Sequence, residues 1–222
     1  MRCLMCGELI RRDSFTELFQ KEDVLCRNCR EKWNRISRSF RFEGHDAFAL
    51  YAYDGGFSEC LLQYKELCDE ALKPVFLYPD IRMLRRMYRG RTFLLLPSAP
   101  QDVEYRGFSH LRGIFEWLKL PMMEPFEKIS GRSQKHLGRE ERAAMRTDIR
   151  LKKGVRIPRR VVLADDVITT GSTMKGALSV LPEGLDIRIF ACGLAEAPEE
   201  RAETGGMMRF LHRGTGFRDS LK

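Results

Sequence analysis

The 222-residue chain has no apolar run approaching the roughly 20 residues that a membrane-spanning helix needs. Its first residues, MRCLMCGELIRRD, contain no apolar stretch of signal-peptide length. Together these absences lead us to expect a cytoplasmic protein with no membrane insertion. GxxxxGK[ST] occurs nowhere, which argues against a P-loop ATPase. There is no internal repeat and no low-complexity tract, which argues against a solenoid or a disordered linker protein. The cysteine count is seven, an odd number without a secretion signal, and this argues against a disulfide framework.

Four of those cysteines form a pattern. Cys3-x2-Cys6 and Cys26-x2-Cys29 are separated by 19 residues, within the zinc-ribbon range. Two residues between thiolates let a tight knuckle aim both sulfurs at one ion, and two knuckles complete a closed tetrahedral shell. Such a site is structural, and in so small a segment the metal supplies most of the folding energy. The plainer alternatives are chance pairs or a redox dithiol. RNCREKWNRI reads as a short basic helix leaving the ribbon, and we place a zinc-ribbon domain at 1–40. Cys60, Cys68 and Cys192 read as ordinary small buried residues.

Beyond the head, strand and helix patterns alternate from about residue 45 to 195. DAFALYAYD, TFLLLP, RRVVLADD and DIRIFACGLAE read as strands, and MMEPFEKI as a short one. FSECLLQYKEL and STMKGALSVL read as helices. KPVFLYPDIRMLRRMYRGR turns helical after Pro79, and GFSHLRGIFEWLKL is an amphipathic helix with Ser109 as a candidate N-cap. The order predicts a doubly wound, mostly parallel α/β sheet over 45–222, with ligands at the carboxyl ends of its strands. Two loops leave strand ends there: PSAPQDVEYRG and DDVITTGST.

The second of these is the most informative stretch of the chain. Val161 to Ala164 run into two adjacent carboxylates, Asp165 and Asp166. After Val167 and Ile168 come Thr169, Thr170, Gly171, Ser172 and Thr173, and then a helix. A helix N-terminus presents unsatisfied backbone N–H groups and a partial positive charge. The hydroxyls add donors, and the glycine permits close approach, so the loop suits a monophosphate. The carboxylates would repel that phosphate and suit hydroxyl groups or a cation. A ribose 5-phosphate satisfies both halves, with its 2′ and 3′ hydroxyls donating to the acids. The plainer alternative is an Asp-Asp turn followed by an ordinary helix cap.

Charge is regional. Residues 128–160 hold 12 Lys/Arg against Glu140, Glu141 and Asp148, a net +9 where the whole chain carries +8. A run of this kind is either a solvated face or a track for a polyanion.

Residues 161–173 resemble the phosphoribosyl pyrophosphate (PRPP) signature of type I phosphoribosyltransferases. The four-cysteine head, QYKELCDEALKPVF, YRGFSH, SQKHLGREERAAMR and the PRPP motif are similar in order and spacing to the ComF family of bacterial DNA uptake, over roughly residues 1 to 195. That resemblance implies a type I phosphoribosyltransferase-like fold with helices on both faces of the sheet. It implies Asp165 and Asp166 at the ribose, Thr169 to Thr173 at the 5′-phosphate, and Mg²⁺ bridging ribose and pyrophosphate. It places Ser98 and Ala99 in a pyrophosphate loop, and Arg106, Lys135 and Arg139 as groups that stabilise departing pyrophosphate. Lys135, His136, Arg139, Arg142 and Arg146, with Trp33 as a second stacking candidate, become contacts to single-stranded DNA. The implied partners are PRPP or a related ribose phosphate, single-stranded DNA and a competence helicase. The competing reading is an active phosphoribosyltransferase of nucleotide metabolism with an unidentified acceptor. Two departures stand out: Cys68 occupies the place of a family glycine before Asp69, and Ser109-His110 replaces the common Asn-Gln.

Overall fold

The computed structural model describes residues 1–10, 23–128 and 149–195. A long hairpin comes first, β1 (Arg35–Phe42) and β2 (His45–Ala52), turning through Glu43 and Gly44. It is followed by β3 (Thr92–Leu95), β4 (Met122–Met123), β5 (Phe126–Lys128), β6 (Ile149–Leu151), β7 (Arg160–Ile168) and β8 (Asp186–Leu194). Six strands form one sheet in the order β1-β2-β8-β7-β3-β4, and β5 and β6 pair separately as an antiparallel ribbon. Every neighbouring pair in the large sheet is parallel except β1 and β2. The expected mixed α/β architecture with a mostly parallel sheet is therefore present. Among the described residues no helix is long and apolar enough to cross a membrane.

The central strands are continuous apolar runs because both their faces are covered. Val161, Val162, Leu163 and Ala164 of β7 are wholly buried, as are Ile189, Phe190 and Ala191 of β8. An aromatic cluster of Tyr88, Phe93, Phe115 and Phe190 fills the space beside them, largely edge-on, as ring quadrupoles favour.

The helices are α1 (Arg27–Glu31), α2 (Gly55–Glu66), α3 (Ile81–Met87), α4 (Pro100–Arg106), α5 (His110–Phe115) and α6 (Ser172–Ser179). Two 3-10 turns, Glu70–Phe76 and Tyr78–Asp80, precede α3, where Pro74 and Pro79 deny the backbone an α-helical ladder. MMEPFEKI is divided between two sheets: Pro125 separates β4 from β5. Ser109 stands at the N-cap of α5 without capping it; its Oγ lies 3.4 Å from Glu124 Oε1.

The head is not a separate bead. Trp33 is 4% exposed and meets Tyr51 and Phe57 edge-on, at centroid distances of 5.0 and 5.1 Å. The Arg30 guanidinium lies 4.4 Å from the Trp33 ring, pairs with Asp23 at 2.6 Å and donates to the Val75 carbonyl at 2.8 Å. Burial removes Trp33 as a platform for nucleic-acid bases. The boundary placed at residue 40 falls inside β1, whose residues already belong to the sheet.

Cys60 and Cys192 are buried as expected, but Cys68 is only partly covered and has a left-handed backbone, φ 55°. The turn after α2 thus keeps the conformation that glycine adopts without strain, in a residue carrying a Cβ. A left-handed non-glycine residue costs about 1–2 kcal/mol, against about 0.5–1 kcal/mol of extra backbone entropy for glycine. Cys68→Gly is therefore expected to raise stability by up to about 1 kcal/mol. The midpoint of a urea unfolding curve measures it, and an unchanged or lower midpoint would refute it.

Candidate functional site

A cleft enclosing about 510 Å³ opens at the carboxyl ends of β3 and β7. α2 contributes Lys65, the loop after β3 contributes Ser98, α4 contributes Asp102 and Arg106, and α5 contributes His110. Asp165 and Asp166 come from β7, Thr173 from α6, and Lys128 from the end of β5. A smaller hollow of about 220 Å³, lined by Asp165, Thr169, Gly171, Ser172 and Thr173, adjoins it. Asp165 and Thr173 belong to both. The structure therefore brings the expected acids, Thr169, Gly171, Ser172, Thr173, Ser98 and Arg106 to one place, while Thr170 is outside both linings, its Oγ1 3.3 Å from Ser172 Oγ. Ala99 is the N-cap residue of α4 and is not part of the lining. Lys135, His136, Arg139, Arg142 and Arg146 lie outside the described residues.

The two acids sit within β7 rather than after it. Val167 and Ile168 continue the strand against Gly193 and Leu194 of β8. The loop is thereby shortened to Thr169–Gly171, and α6 starts at Ser172. Gly171 is left-handed, φ +71°, and a Cβ there would lie 2.5 Å from two ring carbons of Phe42. The end of β1 thus packs directly against the turn that opens α6. Lys175 strengthens that contact by pairing with Glu43 at 2.8 Å.

The acids are held in different states. Asp166 is 8% exposed, and its Oδ2 faces Lys65 Nζ at 2.9 Å and His110 Nε2 at 3.1 Å. Its Oδ1 accepts from the Val167 N–H at 2.8 Å. Burial opposes its charge, but the His110 hydrogen bond and the Lys65 ammonium outweigh burial and hold the carboxyl well below the usual range. Lys65 responds in kind: burial works against its ammonium, the Asp166 charge prevails, and its pKa is raised. Burial, and after it the Asp166 charge, pushes the Asp165 carboxyl well above the usual range. Its Oδ1 accepts only from the Asp166 N–H at 2.9 Å among the described residues. Asp166 is the anchor of the site, and Asp165 is the acid left facing both hollows.

Arg106 has a 7% exposed side chain. Its Nε donates to the Lys65 carbonyl at 3.0 Å, and its Nη1 lies 3.3 Å from His110 Nδ1. Lys65, His110 and Asp102 were not singled out by sequence reasoning. Lys65 stands 101 residues from its partner Asp166, so no local spacing marks it.

In the head, the Cys3, Cys6, Cys26 and Cys29 sulfurs lie within 4.8 Å of one another, and Cys6 and Cys26 Sγ are 3.6 Å apart. Tetrahedral zinc with bonds of about 2.3 Å requires sulfurs about 3.8 Å apart, so the set fits a metal such as zinc. Burial disfavours the Cys3 thiolate, but backbone N–H groups of Cys26, Cys6 and Met5 lower its pKa to about 7. Burial, followed by the neighbouring sulfurs, pushes Cys29 up. Four thiolates this close repel one another until a cation joins them.

No protein-family model matches the chain. It is similar to the competence protein ComFC of Streptococcus pneumoniae (strain ATCC BAA-255 / R6), 25% identical over 218 residues, covering 86% of this chain and 99% of the relative. It is also similar to the competence protein ComFC of Bacillus subtilis (strain 168), 24% identical over 166 residues, covering 74% of this chain and 68% of the relative. The chain thus combines a cysteine cluster, paired acids and a hydroxyl loop on one framework with similarity to competence proteins named ComFC along nearly the full length of the first of them.

Proposed function

We propose that the protein acts in natural competence, in the cytoplasmic handling of incoming DNA, and that its cleft binds PRPP or a related ribose phosphate with Mg²⁺. One observation carries the ligand reading: the Asp165 cleft and the hydroxyl hollow at the start of α6 share a wall. A 5′-phosphate in the hollow leaves the ribose hydroxyls at Asp165. The pyrophosphate then lies toward Lys65, Arg106 and Lys128, the cations of the cleft. Asp165 and Asp102 are the acids that would face a Mg²⁺ ion arriving with such a ligand, and the ion would supply neutralisation of the pyrophosphate charge. The names of the similar proteins support the competence role. The +9 segment supports contact with single-stranded DNA, whose signature is a steep loss of affinity with salt. The family resemblance supports a competence helicase as partner.

Isothermal titration of Mg²⁺-PRPP into the zinc-loaded protein tests the ligand reading. Wild type is expected to bind, and Asp165→Asn to lose at least about 100-fold in affinity, as when a charged hydrogen-bond acceptor is removed. The same substitution is expected to raise the unfolding midpoint, because a carboxyl whose pKa is raised on folding is a destabilising group at neutral pH. Absence of heat with a folded wild type would end this reading.

A further inference from the structure

The cleft contains a hydrogen-bonded chain that runs from the acid pair of β7 to the loop after β3. Ser98 Oγ lies 3.2 Å from His110 Nδ1, and His110 Nε2 lies 3.1 Å from Asp166 Oδ2. A guanidinium can only donate, so the approach of Arg106 Nη1 to 3.3 Å makes Nδ1 an acceptor and puts the ring proton on Nε2, toward Asp166. The imidazole is buried, and the backbone that carries it is fixed: the Tyr64 hydroxyl donates to the His110 carbonyl at 2.9 Å. A Cβ on Gly113 would come within 2.5 Å of that hydroxyl, so only glycine leaves it room. Ser98 and Arg106 share the one lone pair of Nδ1, and when the hydroxyl holds it, carboxylate, imidazole and hydroxyl stand in series, with the hydroxyl at the cleft, in the order of a proton relay.

A second observation concerns the acceptor. Among the described residues no Phe, Tyr or Trp lines the cleft, and its walls are mostly charged or hydroxyl-bearing. A flat nucleobase is usually held by apolar or aromatic surface. An oxygen acceptor needs only a hydrogen bond and a base.

We propose, on the basis of the phosphoribosyl reading, that this cleft transfers the ribosyl carbon to an oxygen acceptor, water in the simplest case, with Ser98, His110 and Asp166 as its proton relay. The water oxygen bonds to the anomeric carbon. The bond from that carbon to the pyrophosphate oxygen breaks, and its electron pair leaves with pyrophosphate. The proton released by water passes to Ser98 Oγ as the Ser98 proton passes to His110 Nδ1. The products are ribose 5-phosphate and pyrophosphate, and Asp166 faces the imidazolium. Protonation of Nδ1 also displaces Arg106 Nη1, which leaves that one nitrogen to donate to the departing pyrophosphate while Nε stays on the Lys65 carbonyl.

The test pairs binding with turnover on the full, zinc-loaded chain. Mg²⁺-PRPP is titrated calorimetrically, and ribose 5-phosphate and pyrophosphate are quantified over the enzyme-free rate, for wild type, His110→Gln and Ser98→Ala. Glutamine can still donate to Asp166 but cannot take a proton. Wild type is expected to form the two products in equal amounts. His110→Gln is expected to lose about 100-fold or more in rate while binding within a few-fold of wild type. Ser98→Ala, which also alters the loop assigned to pyrophosphate, is expected to lose more in rate than in binding. Binding by wild type without product would overturn the relay and leave the ligand reading standing. Product formation unchanged in His110→Gln would also overturn it. No binding by wild type would remove both.

Discussion

Removing the metal from the cysteine head is expected to destabilise the whole chain in one transition, not to melt the head alone. The reason is Trp33. It follows the second cysteine pair by four residues, yet its ring lies among Tyr51, Phe57 and Phe76 of the α/β body. Arg30, on the helix between them, is tied to the Val75 carbonyl. A head that lets go of its metal loses the geometry that delivers both side chains. Truncating a buried tryptophan costs about 3–5 kcal/mol, which for a chain of this size lowers the melting temperature by about 10 °C. Differential scanning calorimetry of the zinc-loaded protein, with and without chelator, measures it. Trp33→Ala should show a loss of similar size. Chelation should then cost Trp33→Ala less than it costs wild type, because the two changes remove the same contacts. An early, separate transition for the head with an unmoved main peak would show that the two parts fold independently.

Lys65→Met is expected to cost about 3 kcal/mol at neutral pH, since it strips a buried carboxylate of its cation. Asp166 is 8% and Lys65 26% exposed, so little water can replace the lost partner. The sign of the pH dependence follows from the direction of the Asp166 shift. A carboxyl held below its unfolded value of about 3.9 contributes stability above that pH and loses it as pH falls through the folded value. In Lys65→Met one of the groups that depress it is gone, so this contribution shrinks. The gap between mutant and wild type should be widest near pH 7 and should close as pH falls below about 4. Chemical unfolding at a series of pH values measures it, and a gap independent of pH would show that Lys65 acts through packing alone.

Much of the molecule could be read before any coordinates, and the reason is locality. The apolar run from Val161 to Ala164, the hydroxyl loop after Ile168 and the two CxxC pairs each carry their meaning within a few residues. The length of β7 was harder, because charged residues usually end a buried strand. Here Asp166 stays inside it, faced by the Lys65 ammonium at 2.9 Å and His110 Nε2 at 3.1 Å. Those partners come from α2 and α5, and no periodicity links them to β7. Trp33 illustrates the same limit. Its position suggests the head, and only the packing of β2 and α2 shows that it belongs to the body. Cys68 shows the opposite case, a left-handed backbone, φ 55°, on a residue that carries a Cβ, which no local pattern announces.

Strand β1 leaves the head immediately after Trp33 and Asn34 and ends with Phe42 under Gly171. Apart from one irregularity between Arg35 and Arg38, it is a rod of eight residues, about 25 Å long. One end begins six residues after Cys29 and is tied to Asp80 by the Arg35 guanidinium at 2.7 Å, and the other forms the underside of the turn before α6. The strand joins the two regions through its irregularity at Ser37. Reciprocity then sets a strict bookkeeping: whatever factor metal loading applies to affinity at the far turn, occupancy of that turn applies to the metal's own hold on the head.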